Sequence, residues 1–251
     1  MKKVFTLFIL SAMVLMACEQ KQPPAGEPTE PIDMHRNLPG DSTLYGLVCD
    51  GCTDSILILL PFSGGDPDTF DIINAFHDRK IYGRPQTGDE LAVILNPMDK
   101  EEVLMAINME RLRGKWCHQV MPHFRNLDQM PQQVQRRILS RIPDSVKQSM
   151  MAPREYGFQL KRGYTAQSFG GMRQAHNDKM SPVEYPKVRR YKEWRLFNGR
   201  LILTTDSILL DHGKKGKPET DTADIIMLRR DTLVLKYKDH EQGYYRKTEN
   251  N

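Results

Sequence analysis

The 251-residue sequence has few of the features by which enzymes and nucleic-acid-binding proteins are recognised. It holds only four cysteines and two tryptophans, and 36 Lys and Arg residues nearly balance 32 Asp and Glu residues. No dense basic run with interleaved aromatics occurs, so we expect no nucleic-acid partner. Beyond the first 17 residues, no apolar stretch approaches the about 20 residues that span a bilayer.

Motifs for catalysis and metal binding are also missing. The sequence contains neither a Gly-x-Ser-x-Gly elbow nor a His-x-Glu-x-His cluster, and its seven histidines are scattered. The paired carboxylates Asp66 and Asp68 fall in a Pro-rich turn, where solvent exposure is the simplest interpretation. We therefore expect a protein that is not an enzyme, with no catalytic residues, no metal site and no cofactor.

The amino terminus has the pattern of an export signal. Lys2 and Lys3 precede an uncharged stretch at 4–16, and Ala17 then precedes Cys18. The letters LMAC at 15–18 resemble the bacterial lipobox, although Met16 replaces the usual small or β-branched residue. This resemblance implies removal of a signal peptide at residues 1–17 and lipidation of Cys18 with diacylglycerol and an acyl chain such as palmitate. The alternative is an ordinary secretory signal with a chance cysteine.

These features predict a lipoprotein that is exported from the cytoplasm and anchored in the cell envelope, with the outer membrane as the expected location. Residues 19–38 are rich in Pro, Gln and Glu and have little to bury. Such a composition is typical of a disordered tether, which we place at residues 18–42.

The folded part is predicted to be all-β and to contain two domains. In the first, at residues 43–109, about five short apolar strands alternate with turns, which is typical of a small OB-like barrel. In the second, at residues 110–249, successive hairpins predict an antiparallel barrel, with turns at Arg162-Gly163 and Asn198-Gly199. Apolar residues at helical spacing predict a helical insertion at 128–152, which Pro143 breaks in two.

The second domain resembles the lipocalin-like family. Residues 112–116 resemble its Gly-x-Trp start, residues 158–163 its strand and turn, and residues 224–236 with 244–246 its closing strands. The resemblance covers residues 111–247, and the helical insertion departs from it. The whole chain is similar to bacterial lipoproteins that carry an N-terminal OB-like domain and a C-terminal lipocalin-like domain.

The pair Cys49 and Cys52 leaves three interpretations open. The turn signal Asp50-Gly51 between them predicts a two-residue hairpin, which would place the two cysteines about 5.5 Å apart and permit a disulfide in an oxidising envelope. The alternatives are two free thiols, or a redox or metal function. Cys117 is expected in the barrel beside Trp116.

Aromatic residues in or beside the predicted strands of the second domain are more often core than ligand contacts. They are Trp116, Phe158, Tyr191, Trp194, Tyr237 and Tyr244. A barrel of eight strands can still hold one small ligand. We therefore expect a non-catalytic envelope lipoprotein that binds a small apolar ligand through residues the sequence does not identify. The alternative is an envelope interaction or stress- and redox-sensing lipoprotein that uses Cys49 and Cys52 and contacts another envelope protein.

Overall fold

The computed structural model describes residues 38–127, 129–170, 182–206 and 217–248. The predicted signal peptide, Cys18 and most of the predicted tether lie outside these residues. The strands of the described part form two large sheets and one two-stranded sheet. No helix within these ranges is both long and apolar enough to cross a membrane.

The first sheet is mixed and has six strands. Its strands are β1 (Leu44–Val48), β2 (Ile56–Pro61), β3 (Asp68–Asp71), β4 (Ile81–Tyr82), β5 (Glu90–Leu95) and β6 (Val103–Asn108), in the spatial order β3-β2-β1-β5-β6-β4. Only β4 and β6 pair in parallel. A short helix, α1 (Ile73–His77), follows β3.

The two ends of this sheet meet and partly close it. A parallel bridge joins Asp71 at the end of β3 to Glu102 beside β6. The Asp71 amide also donates a hydrogen bond to the Glu101 carbonyl at 2.8 Å. Strands β1, β2, β3, β5 and β6 thus form the partly open five-stranded barrel of an OB-like fold, as the sequence predicts. Its core contains the inward residues of β2, Leu57 and Leu59.

The hairpin between β1 and β2 differs from the prediction. Val48 pairs with Leu59, and the Cys49 amide donates to the Ile58 carbonyl at 2.9 Å. The prediction of a two-residue turn at Asp50-Gly51 is therefore wrong, because Cys49 faces Ile58 and not Cys52. The chain turns again after Gly51, where the Thr53 amide donates to the Ile56 carbonyl at 2.8 Å.

The second large sheet is an antiparallel, nearly closed barrel of eight strands. Its strands are β7 (Gly114–Val120), β9 (Arg154–Leu160), β10 (Ala166–Phe169), β12 (Tyr191–Phe197), β13 (Arg200–Thr205), β14 (Thr220–Leu228), β15 (Thr232–Lys236) and β16 (Glu241–Arg246), in the spatial order β10-β9-β7-β16-β15-β14-β13-β12. A bridge between Thr165 and Glu193, and a 2.8 Å hydrogen bond from the Tyr191 amide to Ser168 Oγ, join β10 to β12.

The predicted helical insertion is confirmed. Helices α3 (Gln132–Arg141) and α4 (Asp144–Met150) lie between β7 and β9, and they are preceded by Pro131 and Pro143 respectively. A proline has no amide hydrogen and its ring clashes with the preceding turn, so Pro143 ends one helix and precedes the next. A small sheet of β8 (His123–Phe124) and β11 (Val183–Glu184) flanks the insertion.

One end of the barrel is closed by side chains. Helix α2 (Met109–Leu112) leads into β7, and Trp116 Nε1 donates to the Leu112 carbonyl at 2.8 Å. The Arg246 guanidinium lies 4.2 Å from the ring centre of Trp116 and donates to the backbone carbonyls of Arg113 and Arg230. Gly114 permits this arrangement, because a Cβ there would lie 2.1 Å from Arg246 Nη1.

The first sheet packs against this closed end. Tyr45, Ala92 and Ile107 of the first sheet share one apolar core with Trp116 and other barrel residues. A hydrogen bond of 3.1 Å from the Gly83 amide to the Leu228 carbonyl adds a backbone contact between the two sheets. The opposite end of the barrel is left for the cavity described next.

Candidate ligand-binding site at the barrel mouth

A cavity of about 1020 Å³ lies at the end of the barrel away from α2. It is lined by the last residues of β7, the middle of β9, the first residues of β12 and β14, the first half of β16, Arg200 of β13, the β15–β16 turn and the segment 186–189. Because neighbouring strands are antiparallel, these strand ends meet at one mouth. The volume matches that of small-molecule sites, which reach about 1000 Å³. We call this cavity the barrel mouth.

Aromatic side chains form the inner wall of the barrel mouth. The ring of Phe158 lies 6.1 Å from that of Tyr191 in an edge-to-face arrangement, and 5.1 Å from that of Tyr244. The Tyr244 hydroxyl lies 3.0 Å from the Tyr237 hydroxyl, so the two are hydrogen-bonded. Such a wall offers ring faces for apolar contact and hydroxyl groups for hydrogen bonding. Burial raises the pKa of Tyr237 to about 12, so this phenol stays protonated at neutral pH.

A charged group stands beside this wall. Asp221 accepts a hydrogen bond of 2.6 Å from the Tyr191 hydroxyl and forms an ion pair with Arg189. Burial and the hydrogen bond to Asp221 both raise the pKa of Tyr191. The carboxylate of Asp221 likewise raises the pKa of Arg189. This group therefore places a cationic donor, Arg189, and an anionic acceptor, Asp221, at the mouth.

His118 also lines the barrel mouth, and like Asp221 and Arg189 it is not singled out by the sequence. Its ring lies 5.1 Å from that of Tyr244 and 6.4 Å from that of Tyr156, edge to face with both. Burial lowers the pKa of the imidazole, which favours the neutral form. The signal that could have found it is period-two alternation, which places His118 on the same face of β7 as Trp116.

The predicted aromatic residues therefore divide into two groups. Trp116 and Trp194 are almost fully buried and donate to the backbone carbonyls of Leu112 and Lys161 respectively. They belong to the packed core, as expected. The other four predicted aromatics line the barrel mouth, and they are Phe158, Tyr191, Tyr237 and Tyr244.

The three cysteines of the folded part lie away from the barrel mouth and are free thiols in the structure. Cys49 and Cys52 are half-buried in the β1–β2 loop, with Cys52 Sγ at 3.3 Å from the Cys49 carbonyl oxygen. The hairpin geometry that favoured a disulfide is not formed, and the disulfide itself stays a prediction. Cys117 is buried but is not part of the barrel core, because it alternates with Trp116 along β7. Its predicted place in the barrel beside Trp116 is confirmed, although its side chain lies on the opposite face of β7 from Trp116.

No group of three or more potential metal ligands (His, Cys, Asp or Glu) occurs in the part of the chain that the structure describes. At the barrel mouth, Arg189 forms an ion pair with Asp221, and His240 lies 2.8 Å from Asp239. The arrangement is suited to non-covalent contact with a small molecule.

The fold and the mouth define a lipocalin-like barrel, and comparison with known proteins agrees over part of the chain. A family model described as lipocalin-like matches residues 162–248, from the turn before β10 to the end of β16. The chain is also similar to the crystal structure of a lipocalin-like protein from Bacteroides thetaiotaomicron VPI-5482, with 20% identity and a TM-score of 0.30 over 55% of this chain and 97% of that chain. No curated protein matches the sequence. The family match confirms the predicted lipocalin-like resemblance over residues 162–248.

Proposed function

We propose that this protein is a non-catalytic, membrane-anchored lipoprotein of the cell envelope that binds a small ligand at the barrel mouth. The observation that carries the proposal is the cavity of about 1020 Å³ with its aromatic wall. Its lining supports a ligand with an apolar or aromatic body and at least one hydrogen-bonding group. The body would contact Phe158 and Tyr244, and the polar group would meet Arg189 or Asp221.

The state of the ionisable groups supports binding over catalysis. Asp221 is already engaged by Arg189 and by the Tyr191 hydroxyl. Burial raises the pKa of Tyr244, which keeps this phenol from acting as a base near neutral pH. A nucleophile with an adjacent general base is the usual sign of covalent catalysis. The ionisable groups described here are instead bound to one another.

Membrane anchoring is the second half of the proposal, and it rests on the LMAC pattern at 15–18. Acyl chains on Cys18 would contribute about 0.8 kcal/mol for each buried methylene, and two chains suffice for stable anchoring. The predicted tether at 18–42 would separate the folded part from the bilayer. Anchoring would keep the barrel mouth close to apolar molecules of the envelope.

Titration with the uncharged fluorophore N-phenyl-1-naphthylamine tests binding at the barrel mouth. Gln242 is half-buried, lines the mouth and lies on the same face of β16 as Tyr244. We expect Gln242→Trp to fill the cavity and weaken probe binding at least about tenfold, a loss of roughly 1.4 kcal/mol. The matched control is Gln159→Trp, since Gln159 is half-buried in β9 and does not line the mouth.

Two results would contradict ligand binding at the barrel mouth. If the wild-type protein leaves the fluorescence of the probe unchanged, or if both tryptophan variants weaken binding equally, the barrel mouth is not a ligand site. If the probe binds the wild type and Gln242→Trp alone weakens binding, mass spectrometry of small molecules extracted from protein purified from the envelope would identify a natural ligand.

A second candidate function is redox sensing in the envelope, and the presence of Cys49 and Cys52 in one loop, three positions apart in the sequence, favours it. Cys52 Sγ also accepts a hydrogen bond of 3.2 Å from the Ile58 amide, so oxidation of Cys52 would disturb the β1–β2 loop. Thiol titration with and without reductant tests this candidate. If reductant does not change the number of titratable thiols in protein isolated from the envelope, that result counts against redox sensing.

A further inference from the structure

A second cavity lies on the side of the molecule where the first sheet meets the barrel. It measures about 1230 Å³ and is lined by the β1–β2 loop, helix α1, residues 79–85 and the end of β14 at 226–229. The hydrogen bond from the Gly83 amide to the Leu228 carbonyl lies at its base. We call this cavity the intersheet cleft. Clefts between packed units are common places for small-molecule sites.

Apolar side chains in the intersheet cleft remain open to solvent. Ile73 and Phe76 of α1 are 54% and 50% exposed, and Ile226 of β14 is 45% exposed. All three line the cleft together with buried residues of the first core such as Leu57 and Ile72. Large apolar residues that are scattered singly need no explanation, but three that converge on one concavity indicate a contact surface.

The charge of the intersheet cleft is positive. Arg79, Arg84 and Arg229 line it, whereas Asp54 is its only carboxylate. Within the described ranges, the side chains of these three arginines make no ion pair and no hydrogen bond. The contrast is with Arg246, whose guanidinium donates to backbone carbonyls at the closed end of the barrel. Unengaged guanidinium groups are ready to bind a carboxylate or phosphate group through two parallel hydrogen bonds.

We propose that the intersheet cleft binds a small amphipathic anion, in which a carboxylate head group is attached to a single acyl chain. The arginines would hold the head group, and Ile73, Phe76 and Ile226 would cover the chain. The excess of positive charge in the cleft is complementary to such a head group. This site is separate from the barrel mouth, so each site can be lost without the other.

Isothermal titration calorimetry with dodecanoate below its micellar concentration tests this proposal on the purified chain. Dodecan-1-ol has the same chain without the charge and serves as the matched ligand. We expect dodecanoate to bind at least about tenfold more tightly than dodecan-1-ol, and we expect its affinity to fall as salt is added. Equal binding of the two ligands, or no binding of dodecanoate, would overturn the proposal.

Variants assign the binding to the cleft. Arg84→Gln and Arg229→Gln are each expected to weaken dodecanoate binding by about tenfold, because each removes a charged hydrogen bond, and to leave dodecan-1-ol binding unchanged. Phe76→Ala is expected to weaken both ligands. The control is Arg137→Gln, since Arg137 is exposed on α3 and does not line the cleft. Unchanged thermal unfolding shows that each variant is folded.

The same titration separates the cleft from the barrel mouth. If Gln242→Trp abolishes dodecanoate binding and the arginine variants do not change it, the anion binds at the mouth. That outcome overturns the inference about the cleft and supports the proposed function. If the arginine variants weaken dodecanoate binding and Gln242→Trp does not, the cleft is a site of its own.

Discussion

At the scale of single residues, Arg246 stabilises the closed end of the barrel through several contacts of one side chain. Its guanidinium covers Trp116 at 4.2 Å and donates to the carbonyls of Arg113 and Arg230. Arg246→Met would leave these carbonyls without their donor. We expect the free energy of unfolding to fall by about 2–4 kcal/mol, from lost charged hydrogen bonds and the lost cation–π contact. Chemical denaturation measures the change.

Two further variants sharpen that prediction. Arg246→Lys keeps the charge but not the planar fork, so it should recover less than half of the loss. Arg200→Met is the matched control, because Arg200 is half-exposed and pairs only with the exposed Asp224. It should cost at most about 1 kcal/mol, as exposed ion pairs usually do. Equal losses for Arg246→Met and Arg200→Met would contradict the role given to Arg246.

His118 makes the stability of the barrel depend on pH. Burial lowers its pKa in the folded state below the usual value of 6.5, so the unfolded chain binds a proton more readily. Its contribution to stability is therefore complete above pH 6.5 and is lost as the pH falls towards the lower, folded-state pKa. The slope for one proton cannot exceed about 1.4 kcal/mol per pH unit.

Unfolding measured between pH 7.5 and about 5 tests this linkage. The loss of stability on acidification should be smaller in His118→Gln than in the wild type. His123→Gln is the control, because His123 is half-exposed and pairs with Glu184. If both variants show the wild-type pH dependence, another group is responsible for it.

At the scale of elements, local turn chemistry decides which hairpins the sequence predicts correctly. The turn at Asn198-Gly199 is confirmed, and both residues have positive φ values, 47° and 78°. The turn at Asp50-Gly51 has an equally strong signal, yet its two-residue hairpin does not form. The observed register instead pairs Val48 with Leu59, and the loop between them contains a second turn closed by the hydrogen bond from the Thr53 amide to the Ile56 carbonyl. A strong local turn signal therefore does not by itself fix the pairing of the two strands.

The candidate site follows the same rule. The sequence identifies the aromatic residues of the barrel, but not which end of the barrel each one occupies. Trp194 and Tyr191 are three residues apart in β12, but Trp194 lies in the core and Tyr191 lines the mouth. That division depends on the closure of eight strands and on the packing of the first sheet against one end. No short-range pattern contains either piece of information.

Gly199 offers a test at the scale of one turn. A Cβ at Gly199 would lie 2.5 Å from Met105 Sδ of the first sheet, whereas a Cβ at Gly64 would meet nothing within 4 Å. Both glycines have positive φ, so alanine at either position is strained. We expect Gly64→Ala to cost about 1 kcal/mol of unfolding free energy. Gly199→Ala should cost somewhat more, about 1–2 kcal/mol, because the flexible end of the Met105 side chain must also shift to make room.

Differential scanning calorimetry of the two glycine variants measures this difference. If Gly64→Ala and Gly199→Ala destabilise the protein equally, the β12–β13 turn is not pressed against the first sheet. A second variant, Gly199→Asn, should relieve part of the backbone strain but not the overlap, since asparagine tolerates positive φ and also carries a Cβ.

At the scale of the whole molecule, the two ends of the barrel differ. The first sheet closes one end by adding Tyr45, Ala92 and Ile107 to the core around Trp116. The other end stays open and carries the mouth. Packing the two sheets together also creates the intersheet cleft along their border. The molecule therefore holds two candidate sites of different character, an aromatic mouth within the barrel and a basic cleft between the two sheets.

Anchoring belongs to the whole chain, and Cys18→Ala tests it in a Gram-negative host. In the wild-type protein, we expect the N-terminal peptide to begin at Cys18 and to carry the mass of its acyl chains. In Cys18→Ala, we expect neither this mass nor cleavage after Ala17, because the lipid must be attached to the thiol before the cut. Mass spectrometry of the N-terminal peptide and partition into detergent measure both properties.

The other cysteines supply the control for that experiment. Cys49→Ala removes a thiol from the folded part and should leave the acylated N-terminal peptide unchanged. If Cys18→Ala is still cut after Ala17 and the wild type carries no lipid, the leader is an ordinary secretory signal, and the protein is released into the compartment to which it is exported. The barrel mouth and the intersheet cleft would then meet their ligands in solution, because the acyl chains that we propose to hold the protein at a membrane would be missing.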